Sequence, residues 1–209
     1  TPIKSSAASD VYKRQQNIGT MKWDGKIPFK HTEKLSIKRS DDFDEDCLAP
    51  QWQWNYQPRK DYFSLTERPG WLRLKAYRPL ETNNLLKAGN TLTQRTFRKQ
   101  NNDVTIKMDI SNMQDGQKNG LCHFSSQHSA IGIVKEEDAC YLEYRKNGNI
   151  TKGIQIHSEF VWFRTEWGMD GKSQYYYSLD GDNFLPFGEK YQLTWGNYRG
   201  DRIGICLLY

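Results

Sequence analysis

A short segment near residue 50 combines aromatic and amide side chains in a pattern that suits binding of a flat, hydroxylated ligand. Aromatic rings stand at Trp52, Trp54 and Tyr56, with Asn55 and Arg59 at the rim. In a β-strand, alternate side chains point to opposite sides, so the three rings share one face. A ring accepts the C–H bonds of a stacked ligand while amides satisfy its hydroxyl groups. The same face is equally suited to a hydrophobic core, and both interpretations stay open.

Two further polar side chains are candidates for ligand contact. Gln94 and Arg95 lie in a strand-like Thr-Gln-Arg-Thr run. An arginine fork beside an amide binds ligand hydroxyl groups or pairs with a carboxylate such as Glu67. An interstrand salt bridge to Glu67, or a contact with a neighbouring domain, explains the pair equally well.

A third aromatic segment places Trp162 and Trp167 on either side of Arg164 and Glu166. Positions 162 and 167 differ by an odd number, so their rings point to opposite faces of a strand. One ring is therefore predicted in the core and the other on the surface. Because Trp167 lies beside Gly168 at the end of the segment, we predict that Trp167 is the exposed ring.

Metal ligation is a weaker hypothesis from the sequence. Asp41, Asp42 and Asp201 would supply oxygen ligands to calcium if the first and last strands are neighbours, and a solvated acidic edge is the alternative. No cysteine pair has a spacing typical of zinc. Buried thiols are favoured over a disulfide for the cysteines in strand-like segments, Cys122 and Cys140. The other two cysteines are Cys47 and Cys206.

Catalysis by this chain alone is also considered, because glycoside hydrolysis needs a pair of carboxylates at a defined separation. Concanavalin-like glucanases carry Glu-x-Asp-x-x-Glu on one strand. The nearest match here begins at Glu136 and has Tyr141 in place of the last carboxylate. The sequence therefore predicts a chain that is not catalytic in isolation.

Composition excludes other classes of protein. The mean hydropathy is −0.87, and no apolar run reaches the length of a membrane span. The net charge is +5. Residues 1–40 hold nine Lys and Arg against three Asp and Glu, whereas residues 41–209 hold 21 against 22. A near-neutral domain lacks the concentrated positive charge on which nucleic-acid affinity depends, so neither nucleic acid nor a membrane is a predicted partner.

Alternating apolar and polar residues predict β-structure through most of the chain after residue 41. The clearest strands are predicted over 71–77, 104–110 and 140–145, and further strands over 120–124, 130–134, 153–157, 160–165, 173–179, 191–195 and 202–208. Turn pairs are Asp115-Gly116, Asn119-Gly120, Asn147-Gly148, Asp170-Gly171 and Asp180-Gly181. No stretch of ten or more residues has helical periodicity. The fold class is therefore predicted as all-β, a two-sheet antiparallel β-sandwich of jelly-roll type.

The chain is predicted to have three parts. Residues 1–16 have no periodicity and no signal-peptide core, and are interpreted as a non-native or disordered leader. Residues 17–40 are predicted as a linker from a missing domain. Residues 41–209 are predicted to form the sandwich.

Six ordered motifs resemble the C-terminal domain of bacterial glycoside hydrolase family 43 β-xylosidases and α-L-arabinofuranosidases, a module also classed as carbohydrate-binding module family 91. The motifs are QWQWN at 51–55, LTERPGWLRL at 65–74, TLTQRT at 91–96, MQDGQKNGL at 113–121, YSLDGDNF at 177–184 and YRGDRIG at 198–204. The resemblance covers roughly residues 41–209. It implies a concanavalin A-like sandwich that follows a five-bladed catalytic propeller and shapes or extends the substrate cleft.

The resemblance also implies partners and site residues. The expected ligand is xylan or a xylo-oligosaccharide, and the expected protein partner is the propeller, which this chain lacks. In the family, an aromatic residue from the last loop reaches the catalytic pocket, and Tyr198 matches that residue, with Trp195 in the same loop. A hairpin tip without function is the alternative. The implied source is bacterial, and the implied location is secreted or periplasmic.

The expected function is therefore that of a non-catalytic, xylan-directed accessory domain. Two alternatives remain at this point. The chain is either a purely structural domain that packs on the propeller without binding sugar, or an autonomous glycoside hydrolase.

Overall fold

The computed structural model describes residues 21–24, 27–30, 40–55, 58–77, 81, 84–96, 99–194 and 200–209. The chain divides into two compact units, Thr1–Asp41 and Asp42–Tyr209. In the first unit, β1 (Met21–Asp24) and β2 (Ile27–Lys30) form an antiparallel hairpin.

The second unit is built almost entirely from β-strands. These are β3 (Gln53–Trp54), β4 (Phe63–Ser64), β5 (Arg73–Leu74), β6 (Leu92–Arg95), β7 (Asn102–Asp109), β8 (Lys118–Phe124), β9 (His128–Glu136), β10 (Ala139–Lys146), β11 (Asn149–Ile156), β12 (Phe160–Trp167), β13 (Lys172–Ser178), β14 (Leu185–Pro186), β15 (Tyr191–Gln192) and β16 (Arg202–Leu208). Single turns of 3-10 helix lie at Lys60–Tyr62 and Leu85–Lys87. No helix in the described ranges is long and apolar enough to cross a membrane.

The strands form two large antiparallel sheets. The seven-stranded sheet has the order β11, β10, β9, β8, β16, β6, β3. The five-stranded sheet has the order β14, β13, β12, β7, and β15 also pairs with β13. A small separate sheet joins β4 to β5. In the larger sheet, β16 lies between β8 and β6 and hydrogen-bonds to both.

The main core lies between the two large sheets. Alternate side chains of β8, β9 and β10 face it, and alternate side chains of β12 and β13 face it from the other side. Its fully buried members include Leu121, Ile131, Ile133, Val161, Phe163 and Tyr175. This arrangement confirms the predicted all-β, concanavalin A-like two-sheet sandwich.

A smaller apolar cluster covers part of the other side of the seven-stranded sheet. Leu121 faces the main core, so the next residue, Cys122, points away from it. Cys122 packs there with Ala130 and Cys206, beneath the 3-10 turn that contains Leu85. The buried cysteines Cys122 and Cys206 are free thiols; Cys140, also free, is half-buried, and Cys47 is free and exposed.

The same side of the seven-stranded sheet carries a buried ion pair. Glu143 and Arg145 are 3% and 6% exposed, and 2.7 Å separates Glu143 Oε1 from Arg145 Nε. The geometry of this contact is not that of a hydrogen bond, so its attraction is chiefly that of opposite charges. The Arg145 guanidinium also donates to the Asn119 carbonyl at 3.4 Å.

Some of the predicted strands and turns are confirmed by the structure, and others are wrong. The strand predicted over 202–208 is β16, and the turn predicted at Asn147 and Gly148 has positive φ at both residues. The strand predicted over 71–77 is wrong, because only Arg73–Leu74 pairs. The turn predicted at Asn119 and Gly120 is also wrong, because both residues lie inside β8.

Candidate functional site

The outer side of the five-stranded sheet carries the most concentrated set of half-buried rings and cations in the described part of the chain. On β12, Val161 and Phe163 are buried in the core, so Phe160, Trp162 and Arg164 point outwards. We call this surface the outer aromatic face. It consists of Lys107, Phe160, Trp162, Arg164 and Tyr176 from the strands, with Trp71 and Phe184 from loops.

Lys107 is the centre of the outer aromatic face. It lies opposite Trp162 in the register of β7 and β12. Its Nζ atom is 4.4 Å from the ring centroid of Phe160, 5.0 Å from that of Trp162 and 5.5 Å from that of Trp71. These distances are within the range of cation–π attraction, so one exposed ammonium group is shared by three rings.

One edge of the face is fixed by an ion pair. The Arg68 guanidinium contacts the Asp109 carboxylate and lies 4.2 Å from the ring centroid of Trp71. Ser111 donates to Asp109 from its backbone N–H and its hydroxyl group. Burial raises the pKa of Asp109, but the hydrogen bonds from Ser111 and Arg68 outweigh it and hold that pKa below its usual value. Asp109 is therefore engaged within the protein.

Arg164 is held in place beside Lys107. Its Nε donates to the Thr105 hydroxyl at 2.9 Å, and its guanidinium lies 3.7 Å from the ring centroid of Phe184. One row further along the sheet, Glu166 stands opposite Asp103. Burial, together with the Glu166 carboxylate, raises the pKa of Tyr176. The face is thus cationic around Lys107 and Arg164 and acidic at the Asp103 end.

A tight loop after β13 supports the rings. The Asp180 carboxylate accepts hydrogen bonds from the Asn183 side chain, from the backbone N–H groups of Asp182 and Asn183, and from the Ser178 hydroxyl. These bonds, that of the Asn183 side chain foremost, hold the pKa of Asp180 well below its usual range. Gly181 has a φ of 87°, and a Cβ there would lie 3.1 Å from the Trp162 indole. The loop therefore packs against the Trp162 indole and carries Phe184, whose ring lies beside Arg164.

The aromatic segment near residue 50 has a different arrangement from the one predicted. Among residues 51–55 only Gln53–Trp54 forms a strand, and Tyr56 lies outside the described residues, so a face shared by all three rings stays a prediction. Trp52 stacks on Phe43 at 5.6 Å, and Trp54 packs against Phe63 at 4.7 Å. Both indoles are half-buried. Ligand binding by either ring stays a prediction.

The polar partners in that segment serve the fold. The Asn55 amide donates to the carbonyls of Leu86 and Ala88 at 3.1 and 3.5 Å. Arg202 donates to the Gln53 side chain at 2.8 Å. Tyr56, which was predicted to complete the ring face, lies outside the described residues.

Gln94 and Arg95 lie on β6, half-buried, as strand residues. The salt bridge to Glu67, one of the alternatives for Arg95, does not form in the structure, where the Glu67 carboxylate contacts Lys75 Nζ at 2.6 Å and Arg73 Nε at 3.3 Å. The hydrogen bond from Lys75 is the main cause of a lowered pKa at Glu67. A ligand or domain contact at Gln94 and Arg95 stays a prediction.

Trp167 is not the exposed ring. It is 6% exposed and lies in the main core, with its ring nearly perpendicular to His123 at 5.3 Å. Trp162 points outwards instead. The sequence contained the signal for this, because Arg164 and Glu166 share the parity of Trp162, whereas Val161 and Phe163 share that of Trp167. Charged neighbours, rather than position at the strand end, identify the exposed side.

A polar network inside the core joins the two sheets. His123 Nε2 lies 2.8 Å from the Thr165 hydroxyl, and the His123 backbone N–H donates to the Tyr175 hydroxyl at 3.0 Å. Tyr175 donates in turn to the Ser129 carbonyl at 3.0 Å. Burial lowers the pKa of His123 to about 3, so its imidazole is neutral at physiological pH. The network cross-links strands and is closed to solvent.

The acidic candidates form no reactive centre within the described ranges. No group of three or more His, Cys, Asp and Glu side chains able to hold a metal ion is found there, so the predicted calcium set of Asp41, Asp42 and Asp201 is not supported. Glu136 pairs with Lys152, and Glu137 has a φ of 53° in the turn between β9 and β10. The acidic run at 136–138 is thus part of a hairpin. Trp195 and Tyr198 lie outside the described residues.

The chain is similar in sequence to a known domain family and to two proteins of known sequence. The sequence profile of the beta xylosidase C-terminal concanavalin A-like domain matches residues 40–208. A beta-xylosidase of Formosa agariphila is 34% identical over 188 residues, covering 80% of this chain and 32% of that protein. A putative beta-xylosidase of Xylanibacter ruminicola is 32% identical over 168 residues, covering 79% of this chain and 30% of that protein. The chain thus spans about a third of the length of these relatives.

Solved structures show the same fold. A bifunctional GH43-CE protein of Bacteroides eggerthii superposes with a TM-score of 0.72 at 27% identity, covering 91% of this chain and 28% of that one. The GH43 protein BlXynB of Bacillus licheniformis superposes with a TM-score of 0.71 at 24% identity, covering 87% of this chain and 37% of that one.

Proposed function

Because the chain belongs to the beta-xylosidase C-terminal concanavalin A-like domain family of glycoside hydrolase family 43 enzymes, we propose that it is a non-catalytic, xylan-directed accessory domain. In this proposal it binds xylan or xylo-oligosaccharides and extends the substrate cleft of a catalytic propeller. Tyr198 then lines the cleft from the last loop. A polymeric substrate outside the cell agrees with the predicted secreted or periplasmic location.

The outer aromatic face is the observation that most directly supports the proposed sugar binding. Rings at Phe160, Trp162 and Tyr176 stand on adjacent rows of one sheet, and the Thr105 hydroxyl lies in the same row as Tyr176. Pyranose rings stack their C–H bonds on aromatic side chains, and their hydroxyl groups need hydrogen-bonding partners at the rim. Such a row suits an extended polysaccharide, which presents a repeated set of flat rings.

The carboxylates support a non-catalytic role. The general acid of a glycoside hydrolase has a raised pKa. The four carboxyl groups with a shifted pKa in the described ranges, Glu67, Asp109, Asp180 and Glu189, are all shifted downwards. Each of them is held in its ionised form by hydrogen bonds, which suits a structural role.

Binding of the 209-residue chain to insoluble xylan and to xylohexaose tests the proposal. We expect retention of the wild-type chain on xylan and a loss of about ten-fold in affinity for xylohexaose in Trp162→Ala, with an unchanged melting temperature. Trp54→Ala serves as the matched comparison, because Trp54 is a half-buried tryptophan of the other sheet. No retention of the wild type would contradict the proposal, and a loss confined to Trp54→Ala would move the site to the segment near residue 50.

A further inference from the structure

The ammonium group of Lys107 occupies an unusual place on the outer aromatic face. Its Nζ lies over three rings, and no carboxylate in the described part of the chain is within ion-pair distance of it. The acid nearest in the strand register, Asp109, is held by Arg68 and Ser111. Among the described residues, the Lys107 ammonium group therefore has ring faces as neighbours and no carboxylate partner.

A second cation stands diagonally across from Lys107. Arg164 is fixed by Thr105 and Phe184, so its guanidinium is ordered on the same surface. The acidic pair Asp103 and Glu166 lies two rows beyond the Lys107 row. At about 3.4 Å per residue, that separation is roughly 14 Å, beyond the Debye length of physiological salt. An anionic group near Lys107 therefore meets two cations and little repulsion.

The two features suit a ligand that is both a stacked pyranose and an anion. We propose that Lys107 selects xylan chains that carry a uronic acid branch, by pairing with the branch carboxylate while a sugar ring stacks on Trp162. The inference rests on the proposed xylan-binding function and adds the class of substituent that the face recognises.

The flexible lysine stem makes both contacts possible at once. Cation–π contacts at exposed sites are weak, and a carboxylate attracts an ammonium group more strongly than a ring face does. The ammonium group then moves off Trp162 towards the incoming carboxylate and uncovers the indole. Arg164 stays in place and adds to the positive potential.

The test compares two forms of one ligand. The probe is a xylo-oligosaccharide with a single glucuronic acid branch, and its control is the same oligosaccharide with the carboxyl group reduced to an alcohol. We expect the acid form to bind the wild-type chain about five-fold more tightly at physiological salt, and the preference to disappear near 1 M salt.

Variants assign the preference to Lys107. Lys107→Met keeps the apolar stem and is expected to lose most of the preference, with only the smaller contribution of Arg164 left, whereas Lys107→Arg keeps the preference. Lys152→Met is the matched control, because Lys152 also lies over a ring, that of Tyr141, but on the other sheet. It should keep the full preference.

The outcomes separate this inference from the function on which it rests. Equal affinity for both forms in the wild type, or a preference in Lys107→Met as large as that of the wild type, overturns the inference and leaves xylan binding intact. Failure to bind either form overturns both. If the chain then binds an isolated family 43 catalytic domain and Lys107→Met abolishes that binding, the face is a protein docking surface.

Discussion

Gly120 and Gly132 lie opposite each other on β8 and β9, so closely that a Cβ on either would stand 2.9 Å from the Cα of the other. A Cβ at Gly132 would also lie 1.7 Å from the Asn119 carbonyl oxygen, and one at Gly120 would lie 2.1 Å from that of Ile131. Real side chains do not tolerate such contacts with backbone. Glycine is required here by proximity, and neither residue has a positive φ.

Gly132→Ala is therefore expected to destabilise the domain by more than about 3 kcal/mol, because backbone atoms of two strands must move apart. The measurement is the free energy of unfolding in urea, with far-UV circular dichroism to detect a variant that fails to fold. Gly116→Ala is the control, because Gly116 has a φ of 80° and no atom within 4 Å of the added Cβ. It should lose only about 1 kcal/mol through backbone strain. A loss below about 1 kcal/mol in Gly132→Ala would contradict the close approach.

The two glycines also show where prediction from sequence stops. Asn119-Gly120 has the composition of a turn, and Asn147-Gly148 has the same composition and forms one. The structural difference is that Gly120 lies opposite Gly132 on a paired strand, whereas Asn147 and Gly148 connect β10 to β11. The repeated apolar alternation of β8, β9 and β10 is local and predicted the strands, whereas the approach of Gly132 is set by long-range pairing that composition does not encode.

Because Glu143 and Arg145 form a buried pair, we expect the losses in free energy of unfolding caused by substitutions at the two residues to be strongly non-additive. Glu143→Gln leaves a buried guanidinium without its counter-charge, and we expect a loss of about 3 kcal/mol in the free energy of unfolding. The double variant Glu143→Leu with Arg145→Met removes both charges and should lose less than Glu143→Gln alone. A double-mutant cycle in urea measures the coupling. If the stability losses of the two single variants add up to the loss of the double variant, the two charges do not interact.

The lowered pKa of His123 predicts that the domain loses stability on acidification at pH values above those at which carboxyl groups titrate. Its pKa is about 3 in the folded protein and about 6.5 in an unfolded chain, so the unfolded state binds more protons between these values. Stability is therefore full above pH 6.5 and falls as the pH decreases towards 3. We expect a slope approaching 1.4 kcal/mol per pH unit from this group, in unfolding measurements between pH 4.5 and 6.

Two variants isolate the contribution of His123. His123→Gln should unfold more easily at pH 7 but lose less stability on acidification. His128, whose pKa is also lowered by burial, adds to the slope in both proteins. His157→Gln, at an exposed histidine, is the matched control and should keep the wild-type slope. An unchanged slope in His123→Gln would show that His123 is not the group responsible.

Replacement of Asp180 is predicted to weaken ligand binding while the fold is retained. Asp180→Ala removes the acceptor that closes the loop packed against Trp162, so Phe184 and the indole lose an ordered neighbour. We expect affinity for xylohexaose to fall about five-fold, because the ligand must then order the loop. Asp170→Ala removes a comparable turn acceptor, that of the Lys172 N–H, at the other end of β13 and should bind normally. Equal affinities in the two variants would contradict a role for the loop.

The candidate site was only partly predictable for a related reason. Parity within 161–167 showed that Trp162 and Trp167 face opposite sides, but the choice between sides depends on which sheet covers the strand. Trp71 and Phe184 join the face from loops, and no periodicity relates them to β12. Asn55, predicted at a binding rim, instead satisfies carbonyls of the 3-10 turn that covers the second apolar cluster. The pattern along a single strand thus predicts which kinds of side chain are present. Tertiary pairing determines which residues from other parts of the chain lie next to them.

The position of β16 has a consequence for biosynthesis. Residues 202–208 fill the gap between β6 and β8, and Arg202 bonds to Gln53, which is 149 residues earlier. A ribosome needs on the order of ten seconds to add the residues between 95 and 202. The edge of β6 is open throughout that interval and that of β8 is open from residue 124 onwards, and a nascent chain with open edges is prone to pair with other strands. The seven-stranded sheet is therefore expected to be completed late, after residue 208 has left the exit tunnel.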